Sequence, residues 1–105
     1  MNKNKWHYIP KGTINIDLSS CRLVDEIHEK LKECFGFPDY YGKNWSAFWD
    51  CLDDFGLSED AGREIVVCGI DKLPTELKDY TRKMVEIMQR AEAKYPLIRF
   101  VFKDN

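Results

Sequence analysis

The sequence predicts an α/β fold, a small three-stranded parallel sheet covered by three to four helices. Three observations carry this reading. Short runs rich in β-branched or apolar residues occupy 13–18, 64–69 and 97–102, and stretches with apolar residues at helical spacing separate them. Helical crossovers between strands imply parallel pairing. The chain has 105 residues, 44% of them hydrophobic and 13% aromatic, which suits one packed core and is short for two.

Each element has a local cause. Thr13, Ile14, Asn15, Ile16, Asp17 and Leu18 alternate polar with apolar, the signature of a strand with one buried face. Ser19 and Ser20 follow as candidates to start a helix. Leu23, Val24, Ile27 and Leu31 then recur at helical spacing between charged residues. That helix is expected to end near Phe35, with Gly36 in the left-handed position past its end and Pro38 blocking continuation. Residues 40–43 read as a turn, and Asn44 as the N-cap of a short helix over about 45–53. Gly56 and the polar residues 58–62 read as a loop. The unbroken apolar run at 64–69 suggests a strand buried on both faces. Pro74 and Thr75 open a helical turn at 73–77. A separate long helix is expected over 79–94, with Tyr80, Met84, Ile87, Met88 and Ala91 on one face and Pro96 ending it. Residues 1–105 form one domain in this reading. Residues 1–12 are an N-terminal extension in which Trp6 to Ile9 either add a short strand or lie across the core.

Composition narrows the function. Net charge is −2, whereas a generic nucleic-acid binder is usually basic. No run approaches the ~20 apolar residues of a membrane helix. The N-terminus has no apolar core of a signal peptide, so a cytoplasmic protein is expected. Cys21, Cys34, Cys51 and Cys68 show no C-x-x-C spacing and are expected as reduced thiols. His7 and His28 have no zinc-site spacing, and no metal or cofactor is expected. A Cys51–His28 nucleophilic pair lacks a third residue and an oxyanion motif, and the glycines form no phosphate loop, so the chain is not read as an enzyme. Lys3, Lys5 and Lys11 with Trp6 and Tyr8 make a small basic-aromatic cluster. It is expected to be a frayed, solvated terminus rather than a nucleic-acid site.

The most informative segment is Phe37-Pro38-Asp39-Tyr40-Tyr41-Gly42-Lys43-Asn44-Trp45-Ser46-Ala47-Phe48-Trp49-Asp50-Cys51-Leu52. Its five Tyr, Trp and Phe side chains from Tyr40 to Trp49 cannot all enter the core from one short helix. Some must be exposed, as Tyr and Trp are at protein interfaces. From Asp39 to Asp60 the acidic residues are Asp39, Asp50, Asp53, Asp54, Glu59 and Asp60, against Lys43 as the one base, a local charge of −5. An acidic, aromatic patch suits a basic cleft such as a ribonuclease active site.

This segment resembles the signature of the barstar family, a Pro-acidic-Tyr-Tyr-Gly-x-Asn turn leading into a helix with Ala-(Leu/Phe)-Trp-Asp-Cys-Leu. The resemblance implies a barstar-like fold and a non-catalytic inhibitor that plugs a nuclease active site. Tyr40, Asn44, Trp49 and Asp50 occupy matching positions, and Asp50 matches the family's principal carboxylate, which sits where a substrate phosphate would. The expected partner-binding set is Tyr40, Asn44, Trp45, Ser46, Trp49, Asp50, Asp53 and Asp54, with secondary contacts from Arg90 and Lys94. Two departures stand out: Ser46 replaces a frequently acidic residue, and Arg90 and Lys94 fall where relatives place acidic contacts. They imply a target other than the usual guanyl-specific ribonuclease, such as a contact-delivered or secreted nuclease toxin. The expected complex is 1:1 between an otherwise monomeric immunity protein and its cognate toxin, without nucleic acid or membrane. The alternative is a barstar-like interaction or regulatory module with a non-nuclease partner.

Overall fold

A computed structural model of the chain describes residues 5–58 and 61–104. The element order is β1 (Ile14–Asp17), α1 (Val24–Phe35), α2 (Trp45–Gly56), β2 (Glu64–Cys68), a one-turn 3-10 helix (Ile70–Lys72), α3 (Thr75–Lys94) and β3 (Arg99–Lys103). The three strands are parallel in the order β1-β2-β3. Ile14 pairs with Ile65, which pairs with Phe100, and Ile16 pairs with Val67. The α/β class and the parallel three-stranded sheet are those expected from the sequence.

The helices cover one face of this sheet. Ile14, Ile16, Ile65 and Val67 join a single core cluster with Ile27, Leu31 and Phe35 of α1, Phe48, Leu52 and Phe55 of α2, and Met84, Ile87 and Met88 of α3. The opposite face carries exposed Asn15, Asp17, Arg99 and Lys103, with Val101 half-buried. Val66 is buried there but lies outside the core cluster. The centre of the run 64–69 is thus buried on both faces, as expected, with Ile65 and Val67 on the helix side and Val66 on the other. Val66 lies on the middle strand, between Asn15 of β1 and Val101 of β3.

Boundaries differ from expectation for physical reasons. Ser19 and Ser20 do not start α1. The Asp17 carboxylate accepts from the Ser19 N–H, making a turn, and α1 begins at Val24. Glu26 closes its start by accepting from the backbone N–H groups of Arg22 and Leu23. α1 ends at Phe35, and Gly36 follows at φ 72°, the left-handed conformation glycine tolerates. α2 runs to Gly56, past the expected end near Asp53. α3 is one helix from Thr75, because buried Leu77 and Thr81 carry the core face across Lys78 and Asp79.

The N-terminal extension adds no strand among its described residues. It crosses the core as a strap. The His7 N–H donates to the Gly36 carbonyl, and Arg63 donates to the Pro10 carbonyl. Trp6 packs edge-on against Phe37 and stacks on Phe55. Of the cluster expected to be solvated, Lys5, Tyr8 and Lys11 are exposed, whereas Trp6 is half-buried, as is Ile9, so the expectation is corrected at Trp6; Lys3 lies outside the described residues. All four cysteines are free, with Cys21 and Cys51 buried.

Candidate protein-binding face

The face is built on the turn 40–43 and the first half of α2. The Asn44 side chain caps the helix, accepting from the Ala47 N–H at 2.8 Å, while its amide donates to the Gly42 carbonyl at 3.1 Å. This satisfies one of the orphan donors at the helix start. Lys43 adopts φ 52°, an uncommon conformation for a residue with a side chain, and its ammonium meets Glu29 of α1 at 2.5 Å. Cap and ion pair together fix the angle at which α2 leaves the turn.

α2 divides its side chains between two surroundings. Phe48, Cys51, Leu52 and Phe55 enter the core. Ser46, Asp50 and Asp54 are exposed one turn apart along the opposite face. Trp49 is half-buried beside them, and Tyr40 stands 53% exposed at the foot of the helix. Trp45 is half-buried on the side of α2 toward α3, packed against a buried polar cluster. There His28, fully buried, is bridged by the hydroxyls of Tyr41 and Tyr80 at 2.6 Å each, and Trp45 packs on the His28 ring. Of the paired tyrosines at 40 and 41, only Tyr40 faces outward; Tyr41 is buried.

α3 forms the second wall. Arg90 lies over the Trp49 ring at 4.7 Å and Lys94 at 5.7 Å. Lys94 donates to Asp53 at 2.8 Å, and the Tyr95 hydroxyl donates to the same carboxylate oxygen. These two donors hold the Asp53 carboxyl below the usual carboxylate range. Asp53 is thus engaged in clamping α2 to α3. Asp50 has no hydrogen-bond or ion-pair partner among the described residues. Between the walls runs a cleft of about 360 Å³ lined by Trp45, Ser46, Trp49 and Asp50 from α2 and Lys83, Ile87 and Arg90 from α3. A separate groove of about 460 Å³, lined by Trp6, Ile9, Phe55 and Leu57 among others, lies at the far end of α2.

The structure brings together Trp45, Ser46, Trp49 and Asp50 of α2 with Arg90 of α3 around the cleft, and Lys94 beside Trp49; Asn44 caps the helix, Tyr40 stands exposed on the turn, and Asp54 lines the separate groove with Trp6. The charge balance differs from the linear count. Asp39 is paired with His7 at 2.7 Å and Lys32 at 3.4 Å, which hold its carboxyl below the usual range. Asp53 is neutralised by Lys94, and Glu59 and Asp60 lie outside the described residues. Lys83 was not expected at the face. Its signal was present, since Lys83, Ile87, Arg90 and Lys94 follow at intervals of four, three and four residues on one face of a long helix.

The buried Cys51 and His28 do not form a primed nucleophilic pair. Burial pushes the Cys51 thiol up to about 11 and the His28 imidazole down to about 4, so one stays protonated and the other neutral. Among the described residues no cluster of His, Cys, Asp and Glu could hold a metal ion. No helix there is long and apolar enough to cross a membrane.

Fold and face together define a small α/β domain with a cleft between two helices that two indole rings help to line. The sequence pattern of the Barstar family, described as barnase inhibitor, matches residues 12–103. A relative from Bacillus subtilis (strain 168), named "Putative ribonuclease inhibitor YrdF", is 33% identical over 79 residues, covering 75% of this chain and 84% of the relative. The chain belongs to the barstar family.

Proposed function

We propose that the protein inhibits a ribonuclease by occluding its active site with the turn and α2, as an intracellular antitoxin or immunity protein for a cognate nuclease toxin. The observation that carries this reading is Asp50, an exposed carboxylate with no partner of its own among the described residues, standing beside half-buried Trp49. A ribonuclease active site binds phosphate and is therefore electropositive; Asp50 offers it an anion that it cannot cleave. Tyr40 and Trp49 add aromatic surface, and Ser46, Asn44 and Asp54 supply polar edges. Trp45, packed on His28, adds indole surface to the cleft. The Asn44 cap and the Asp53–Lys94–Tyr95 clamp fix α2 before contact, which lowers the ordering cost of binding. The family's description as barnase inhibitor and the relative's name support the same role.

The test is co-expression with nuclease toxins encoded in neighbouring reading frames, scored by survival, followed by titration of RNA cleavage with purified protein. Inhibition is expected to saturate at one inhibitor per nuclease. Asp50→Ala should weaken it by at least about 2 kcal/mol, roughly thirtyfold, the threshold of an interface hot spot. Inhibition unchanged in the Asp50→Ala, Trp49→Ala double variant would remove this helix from the site.

A further inference from the structure

The cleft between α2 and α3 carries unneutralised charge of both signs. Asp50 stands on one wall without a cation. Arg90 stands on the other, and no carboxylate among the described residues lies within ion-pair distance of it. The neighbouring cations differ in this respect: Lys94 is bound to Asp53 at 2.8 Å, and Lys83 lies 3.6 Å from Glu86. The Arg90 guanidinium is held 4.7 Å above the Trp49 ring. A stacked guanidinium is already positioned, and its N–H edges remain available for a planar anion.

We infer that the partner surface received by this cleft presents a carboxylate to Arg90 beside the cation it presents to Asp50. The inference rests on reading this face as the inhibitory one and names what the face selects. The occupant is a protein edge carrying an acidic and a basic side chain, not a uniformly basic pocket. A pocket lined only with cations would satisfy Asp50 and oppose Arg90, and like charges across an interface are a strong element of discrimination. A phosphate would meet Arg90 and oppose Asp50 in the same cleft. A mixed acid–base edge satisfies both walls. Trp49, Trp45 and Ile87 line the cleft beside these charges and give the partner edge apolar surface to cover.

The test needs no identified nuclease. The full-length protein is titrated by NMR with a short peptide of alternating arginine and glutamate, a same-length peptide of alternating arginine and glycine, and a short oligouridylate. The Trp49 indole N–H and the Arg90 side-chain N–H signals are followed. The arginine–glutamate peptide should saturate these signals at the lowest concentration. Arg90→Glu should raise its half-saturation about threefold to fivefold and lower that of the arginine–glycine peptide. Arg90→Gln, which keeps the stem and loses the charge, should fall between. Tighter binding of the arginine–glycine peptide or of oligouridylate, no response to the arginine–glutamate peptide, or indifference of that peptide to Arg90→Glu would each overturn the inference. Ribonuclease inhibition is read in a separate assay, so the inhibitor reading can stand while this one falls.

Discussion

Two ionisable side chains, Asp50 and His28, show how the fold treats a charge according to its place. Asp50 is left in solvent with no partner among the described residues, free to be used by another protein. His28 is fully buried between two tyrosine hydroxyls at 2.6 Å. A neutral imidazole has one donor and one acceptor nitrogen, so one tyrosine donates to it and the other accepts from it. A proton taken up there would bury a cation away from water, and the tyrosine that donates to the ring would lose its acceptor. Burial accordingly lowers the imidazole from 6.5 to about 4. The unfolded chain binds that proton more readily, so the stability tied to neutral His28 is fully present above pH 6.5 and is lost as pH falls toward 4. The loss amounts to about 3 kcal/mol at about 1.36 kcal/mol per pKa unit. Urea denaturation at stepped pH should show it. His28→Gln, which takes up no proton, should flatten the profile over that window even though the variant starts less stable. An equal slope in both proteins would assign the acid sensitivity to other groups.

At the level of elements, the contact between α2 and the end of α3 depends on a missing side chain. A Cβ on Gly56 would lie 2.3 Å from the Tyr95 ring, the ring whose hydroxyl holds Asp53. Gly56→Ala gains helix propensity of about 1 kcal/mol, but it must displace a buried aromatic ring. The second effect is expected to win. A net destabilisation of about 1–2 kcal/mol should appear as a lower urea midpoint at unchanged slope. This position also shows where sequence reading stops. Gly56 reads as a helix breaker because glycine usually is one, and nothing local announces that Tyr95, far along the chain, needs the space. The core face of α3 was readable from Met84, Ile87, Met88 and Ala91 at helical spacing, and α1 from the same kind of pattern ending at Gly36. The separate turn at 73–77 was not a real break, since Leu77 and Thr81 are buried one turn apart and span it. Within the face, Asn44, Trp49 and Asp50 were readable from a contiguous segment. The clamp of Asp53 with Lys94 and the stacking of Arg90 on Trp49 join positions about forty residues apart, and a count of charges along the chain cannot see them.

At the scale of the whole molecule, residues 5–11 precede the stretch that matches the family pattern, yet Trp6 and Ile9 among them pack against the core. Gly36 makes this approach possible: a Cβ there would stand 2.3 Å from the His7 carbonyl oxygen, the neighbour of the strap's backbone hydrogen bond. The strap then places Trp6 on Phe37 and Phe55, closing the aromatic end of the core where Phe35, Phe37, Phe48 and Phe55 meet. It lies at the far end of α2 from the docking cleft, and its tie toward the face is the His7–Asp39 pair one residue before Tyr40. Stability and binding should therefore separate in a single variant. Trp6→Ala removes ring contacts from a half-buried position. Its cost should be about 1–2 kcal/mol, well below the ~3–5 kcal/mol of a fully buried aromatic. The urea midpoint should fall while inhibition of the nuclease, measured at low temperature where both proteins are folded, stays within about twofold, because the His7–Asp39 contact and the Asn44 cap remain. A large loss of inhibition by folded Trp6→Ala would mean that the strap sets the pose of Tyr40 and that the extension acts directly in recognition.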